Sequence, residues 1–146
     1  MGRWMGLDYG SKTTGVALSD PGHIIASPLE TIKRAKENML RPTLRRIAEL
    51  AADNDVERIV LGYPLNMDDT RGERAQKTEE FKALLEHRLE AEGLDIPVLL
   101  WDERLSTMGA DEVLAESGVA SSERKQYIDK IAAALILEDH MKNGRG

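Results

Sequence analysis

Cysteine is absent from the 146 residues, so neither a disulfide framework nor a thiolate-ligated metal can form, and the composition suits a reducing, cytoplasmic compartment. Aromatic residues make up 4% of the chain, with one phenylalanine, so the core must be mainly aliphatic. No apolar run approaches the roughly 18–20 residues of a membrane-spanning helix, and the N-terminus shows no signal-peptide pattern. A membrane protein is not expected. Histidine is scarce: His23, His87 and His140 lack metal-ligand spacing of the HExxH kind. Any bound metal would be held mainly by oxygen, which favours hard ions such as Mg2+ or Mn2+.

What is present describes a folded protein. Hydrophobic content of 41% and charged content of 32% are globular values, and the length suits a single domain over 1–146. A net charge of −6 argues against indiscriminate coating of nucleic acid. The charge is uneven, however. Between Thr31 and Arg46, Lys33, Arg34, Lys36, Arg41, Arg45 and Arg46 are set against Glu37 alone, and Arg71, Arg74 and Lys77 surround Glu73. Each cluster reads either as a solvated helix face or as a patch able to track a phosphate backbone.

The order of elements follows from periodicity. "RWMGLDYG" and "TTGVALSD" read as strands joined by a turn at Gly10, Ser11 and Lys12, and "HIIASPLETI" as a third strand after the Asp20-Pro21-Gly22 turn. Leu44, Ile47, Ala48 and Ala51 recur at helical spacing from Arg41 to Asn54, with Pro42 in the first turn. "RIVLGYP" is a buried strand, followed by a polar segment from Leu65 to Thr78, a helix to Glu92 and a capping Gly93. "IPVLLW" is a further strand, stopped by Asp102, Glu103 and Arg104. A helix capped by Ser106 or Thr107 should end near Gly118, and a last one should run from about Ser122 to Lys142. The order β-β-β-α-β-α-β-α-α implies a mixed sheet with helices on both faces and a site at its carboxyl edge.

Four acidic residues, far apart in sequence, fall at element ends where this scheme would let them converge, without histidine or cysteine nearby. Asp8 ends the first strand, Asp102 and Glu103 follow the last, and Asp129 lies near the start of the almost wholly apolar final helix. Two unit charges about 4 Å apart repel by roughly 4 kcal/mol at an effective dielectric of about 20. A divalent cation removes that penalty, and two such ions can activate water and stabilise the leaving oxygen of a phosphodiester. Each acid also has a plainer reading. Asp8 could accept the amides of Gly10 and Ser11, Asp102 could hold the next helix start, Glu103 could pair with Arg104, and Asp129 with Lys125.

The segments "GLDYGSKTTGVALSD", "IVLGYPLNMDDT", "TEEFKALL", "DERLST" and "IDKIAAALIL", in this order across the whole chain, resemble the YqgF/RuvX family. Its members are described as Holliday junction resolvase-like proteins and as pre-16S rRNA nucleases. The resemblance implies an α/β, ribonuclease H-like fold, a mixed five-stranded sheet flanked by helices. It also implies a nuclease whose ligands for Mg2+ or Mn2+, and catalytic residues, are Asp8, Glu103 and Asp129. Glu103 is preferred to Asp102 because strand side chains alternate and its arm is longer. One departure is visible: the family's NMDGT reads Asn66-Met67-Asp68-Asp69-Thr70 here, adding a negative charge to that loop.

On this reading Lys12 and Arg104 stabilise charge on the phosphate, while Asn66, Arg71 and Arg74 position the nucleic-acid backbone. The expected partner is structured nucleic acid: pre-16S ribosomal RNA at its 5′ end in ribosome biogenesis, or alternatively a four-way DNA junction. Monomer and homodimer are both open, junction cutting requiring the dimer. Two other classes compete. "DYGSKTTG" is similar to the phosphate-binding hairpin of actin- and sugar-kinase-like ATPases, which need two such domains. A non-catalytic RNA- or ribosome-binding factor is the other.

Overall fold

A computed structural model describes residues 2–64, 72–102 and 121–143, with side chains in the last segment described from Asp129 onward. The elements are β1 (Arg3–Tyr9), β2 (Thr13–Ser19), β3 (Ala26–Lys33), α1 (Arg41–Asp53), β4 (Val56–Tyr63), α2 (Glu73–Ala91), β5 (Val98–Asp102) and α3 (Ser121–Asn143). The strands form one 5-stranded sheet in the order β3-β2-β1-β4-β5. β1 pairs antiparallel with β2 and parallel with β4, β2 pairs antiparallel with β3, and β4 pairs parallel with β5. This is the mixed sheet of the ribonuclease H-like fold.

Strand alternation divides the interior into two layers. Met5, Leu7 and Tyr9 of β1 join Leu44, Ile47, Phe81 and Leu85 in a core beneath α1 and α2. Ala17 and Val60, of the opposite parity, pack with Ala133, Ile136 and Leu137 of α3. Ile136 and Leu137 are fully buried, each worth about 1.5–3 kcal/mol relative to exposure. That burial, rather than any strong amphipathic stripe, holds α3 on the sheet.

β4 begins at Val56, two residues before the expected Arg58, and β5 at Val98, two after the expected Ile96; three further boundary differences have identifiable consequences. β3 begins at Ala26, not His23, because Asp20 captures the preceding amides: its Oδ1 accepts the N–H groups of Ile24 and Ile25 at 2.7 and 2.8 Å. Pro28, which cannot donate to a ladder, sits on this edge strand where the register shifts. α2 begins at Glu73, so the polar residues to Thr78 are helical, with Ala75 and Thr78 turned inward. β5 extends through Asp102, which therefore belongs to the strand instead of stopping it. Pro42 lies in the first turn of α1, and Gly93 follows α2 with φ of 72°, both as expected. The helix expected between Ser106 and Gly118 lies outside the described residues.

Candidate active site

The carboxyl ends of β1, β4 and β5 meet at one edge of the sheet, where open α/β sheets carry their ligands. Met5, Leu7 and Tyr9 face the α1/α2 layer, so Asp8 belongs to the α3 face. Its cross-strand partner, Gly15, faces the same way. Here α3 rests on the sheet: a Cβ on Gly15 would stand 1.9 Å from the carbonyl oxygen of Asp129. Only glycine permits this approach. The helix backbone at Asp129 is thereby seated on the rung that carries Asp8.

A second contact fixes the Asp129 side chain. Thr13, two residues before Gly15 and of the same parity, donates its hydroxyl hydrogen to Asp129 Oδ2. Asp8, Thr13 and Asp129 are all half-buried. The plainer reading of Asp8 as a turn acceptor loses one of its donors, because the Gly10 amide bonds to the Thr13 carbonyl at 2.8 Å. For Asp129 the observed partner is Thr13; the Lys125 side chain lies outside the described residues.

Asp102 pairs with Tyr63 at the end of β5. Trp101 donates its Nε1–H to Asp139 of α3 at 2.7 Å, whereas Val98 and Leu100 pack into the α1/α2 layer. By alternation Asp102 shares the latter face, opposite Asp8. Glu103, Arg104, Asn66, Arg71 and the departing Asp69 lie outside the described residues. Among the described residues no three acidic or histidine side chains gather as a metal site. The two acids brought onto one face are hard oxygen donors, a set that fits Mg2+ or Mn2+.

The basic residues divide into exposed and engaged groups. Lys12 is exposed at the hairpin tip, and Lys33, Lys36, Arg41 and Arg45 are exposed. Arg34 is not a solvated cation: it is 7% exposed. It donates to Thr14 Oγ1 at 2.8 Å and to the Gly10 carbonyl, and lies 4.8 Å from the Tyr9 ring centroid. Burial pulls its pKa below the ordinary arginine value, opposed by the nearby Tyr9 and Glu37. Arg46 is held by Glu30 at 2.7 Å.

Arg74 is engaged too. It bonds Glu37 at 2.5 Å and the Tyr9 carbonyl at 3.3 Å, and Lys77 approaches Glu37 at 3.4 Å. The Arg74 hydrogen bond, with help from Lys77, holds the Glu37 carboxyl below its ordinary pKa. A cleft lined by Tyr9, Glu37, Leu40, Lys77, Phe81 and Leu84 opens beside this cluster. Sequence reasoning passed over Thr13 and Glu37. Counting alternate residues back from Gly15 would have put Thr13 on the Asp8 face, but nothing in the sequence joins Glu37 to Arg74.

Comparison with known proteins bears on the chemistry. The sequence profile of the RuvX family, described as Holliday junction resolvase, matches residues 2–143. A protein of Lachnospira eligens, provisionally named a pre-16S rRNA nuclease, is 53% identical over 141 residues, covering 97% of each chain. One of Agathobacter rectalis, named in the same way, is 47% identical over 146 residues, covering 98% of this chain and 99% of its own. Among solved structures, Thermus thermophilus RuvC in complex with a Holliday junction substrate aligns with a TM-score of 0.57 at 14% identity, over 99% of this chain and 97% of that one. At that identity the likeness concerns the fold alone.

Proposed function

Because the chain belongs to the RuvX family of nucleases, we propose that it processes the 5′ end of pre-16S ribosomal RNA in the cytoplasm, as a single domain acting on structured nucleic acid. The observation that carries a hydrolytic site is the shared face of Asp8 and Asp129, with α3 seated on Gly15 between them. Asp8, Glu103 and Asp129 are the proposed ligands of Mg2+ or Mn2+. Asp102 is passed over because its parity matches the α1/α2 layer. A divalent ion bound by these acids supplies Lewis-acid activation of water and neutralises charge on the leaving oxygen.

The chain's own residues orient the substrate. Lys12, exposed in the turn of the hairpin that carries Asp8, meets the phosphate, with Arg104 as its expected counterpart after β5. Asn66 and Arg71 contact the backbone, and Arg74 joins them by exchanging Glu37 for a phosphate. RNA is preferred as substrate because the relatives carry that name and a protein of net charge −6 is poorly suited to searching bulk DNA. A second reading, cleavage of four-way DNA junctions, is favoured by the family's description.

The test is cleavage of pre-16S RNA fragments and of four-way junctions with Mg2+ or Mn2+, with Asp8→Asn as control. RNA cleavage lost in Asp8→Asn is the expected result. Junction cleavage alone would promote the second reading, and activity surviving Asp8→Asn would overturn the metal site. RNA binding without cleavage of either substrate would instead mark a non-catalytic factor.

A further inference from the structure

We infer that Thr13 is a positioning residue for the active site, its hydroxyl setting the orientation in which Asp129 presents its carboxylate to a divalent cation. The inference rests on the proposed metal site and adds a residue to it. Three observations carry it. First, the Thr13 hydroxyl has one hydrogen to donate, and it goes to Asp129 Oδ2 across a sequence separation of 116 residues. The bond joins the hairpin carrying Asp8 to the helix carrying Asp129.

Second, the donor is presented by a rigid turn. The Thr13 carbonyl accepts the Gly10 amide at 2.8 Å, and the Arg34 amide donates to the Lys12 carbonyl at 2.7 Å. From the opposite face the Arg34 guanidinium holds the Gly10 carbonyl and Thr14 Oγ1. Threonine itself is β-branched and stiff about χ1. The hydroxyl therefore has little freedom to follow a wandering carboxylate. It constrains one instead.

Third, the acceptor backbone is held independently. The contact of the Asp129 carbonyl with Gly15 leaves the side-chain torsions of Asp129 as the main remaining freedom, and the Thr13 bond removes it. Groups that hydrogen-bond a metal ligand typically alter metal affinity 10–100-fold when lost, because they fix ligand direction.

The experiment measures Mn2+ affinity by isothermal titration calorimetry on the full chain, without substrate. Thr13→Val and Thr13→Ala both remove the donor, one nearly isosteric and one smaller, and both are expected to weaken Mn2+ binding about tenfold or more. Thr13→Ser retains the donor and should restore binding to within about twofold of the parent chain. Circular-dichroism melts of each variant show that the fold survives. Unchanged Mn2+ affinity in Thr13→Val and Thr13→Ala, with affinity lost in Asp129→Asn, would overturn the role of Thr13 and leave the ligand assignment standing. Parental affinity in both Asp8→Asn and Asp129→Asn would overturn the ligand assignment, and the role of Thr13 with it.

Discussion

The carbonyl oxygen of Asp129 and the α-carbon of Gly15 are in direct contact, so close that a Cβ on Gly15 would stand 1.9 Å from that oxygen. Two backbones this close cannot accommodate a methyl group between them. Gly15→Ala must push α3 off β2 or bend the strand. Overpacking typically costs about 1–3 kcal/mol, and a clash against main chain on both sides should reach about 3 kcal/mol or more. Urea unfolding followed by far-ultraviolet circular dichroism measures it. Parental stability in Gly15→Ala would mean that α3 is seated elsewhere.

Arg34 is a second point where one substitution should be costly. Lysine keeps the charge but not the planar fork that reaches Thr14 Oγ1 and the Gly10 carbonyl together. Losing one hydrogen bond to a buried charged group costs about 1.5–3 kcal/mol. Arg34→Lys should lower stability by about 2 kcal/mol in the same urea experiment, and a variant as stable as the parent would show that the fork adds nothing.

Glu37 holds Arg74 and Lys77 in ion pairs, and the proposed contact of Arg74 with phosphate requires that its pair be broken. Replacing Glu37 with glutamine should remove that anion from both Arg74 and Lys77, leaving Lys77 a longer pair with Glu73 at 3.9 Å. In an Asp8→Asn background, chosen because the proposed metal site predicts that it does not cleave, Glu37→Gln should bind a labelled RNA about threefold more tightly, with a steeper salt dependence as more phosphates are neutralised. Fluorescence anisotropy at several salt concentrations measures both. Glu86→Gln changes net charge equally but frees Lys82 on the exposed side of α2. Equal gains from the two variants would reduce the effect to net charge.

His140 should impose a pH dependence on stability. The residue is 4% exposed, and Nε2 accepts from Arg58 at 3.2 Å, so a proton there would place a cation beside a cation. Burial first, and Arg58 second, hold its pKa below the ordinary histidine value, while Asp139 opposes them. The unfolded chain thus takes up the proton at higher pH than the folded one. Stability is fully present above about pH 6.5 and is lost as pH falls through the depressed folded value. The melting temperature should fall between pH 7.5 and 5.5, and the fall should be shallower in His140→Gln. Identical slopes would remove His140 as the cause.

How far the sequence could be read depended on whether a residue's environment is local. Met5, Leu7 and Tyr9 alternate, and Ile131 to Leu137 are apolar, so the two layers on either side of the sheet were legible from period alone. The early start given to β3 failed because Asp20 bonds the amides of Ile24 and Ile25, which a hydrophobic pattern does not reveal. Charge counting placed Arg34 and Arg46 among steering cations, yet their partners, Gly10 and Glu30, lie 24 and 16 residues away. At the candidate site, strand parity could place Asp8 and even Thr13. It could not place Asp129, whose position depends on where a helix more than a hundred residues later comes to rest.

The two tryptophans of the chain, Trp4 and Trp101, lie on the α3 side, and both rings meet that of His140, at centroid distances of 5.5 and 4.9 Å. The layer formed by α1 and α2 contains neither. Tryptophan fluorescence, excited beyond the absorption of the tyrosines, is thus a one-sided optical signal: its wavelength and intensity follow the docking of α3, the element that carries Asp129, while loosening of the opposite layer leaves it unchanged.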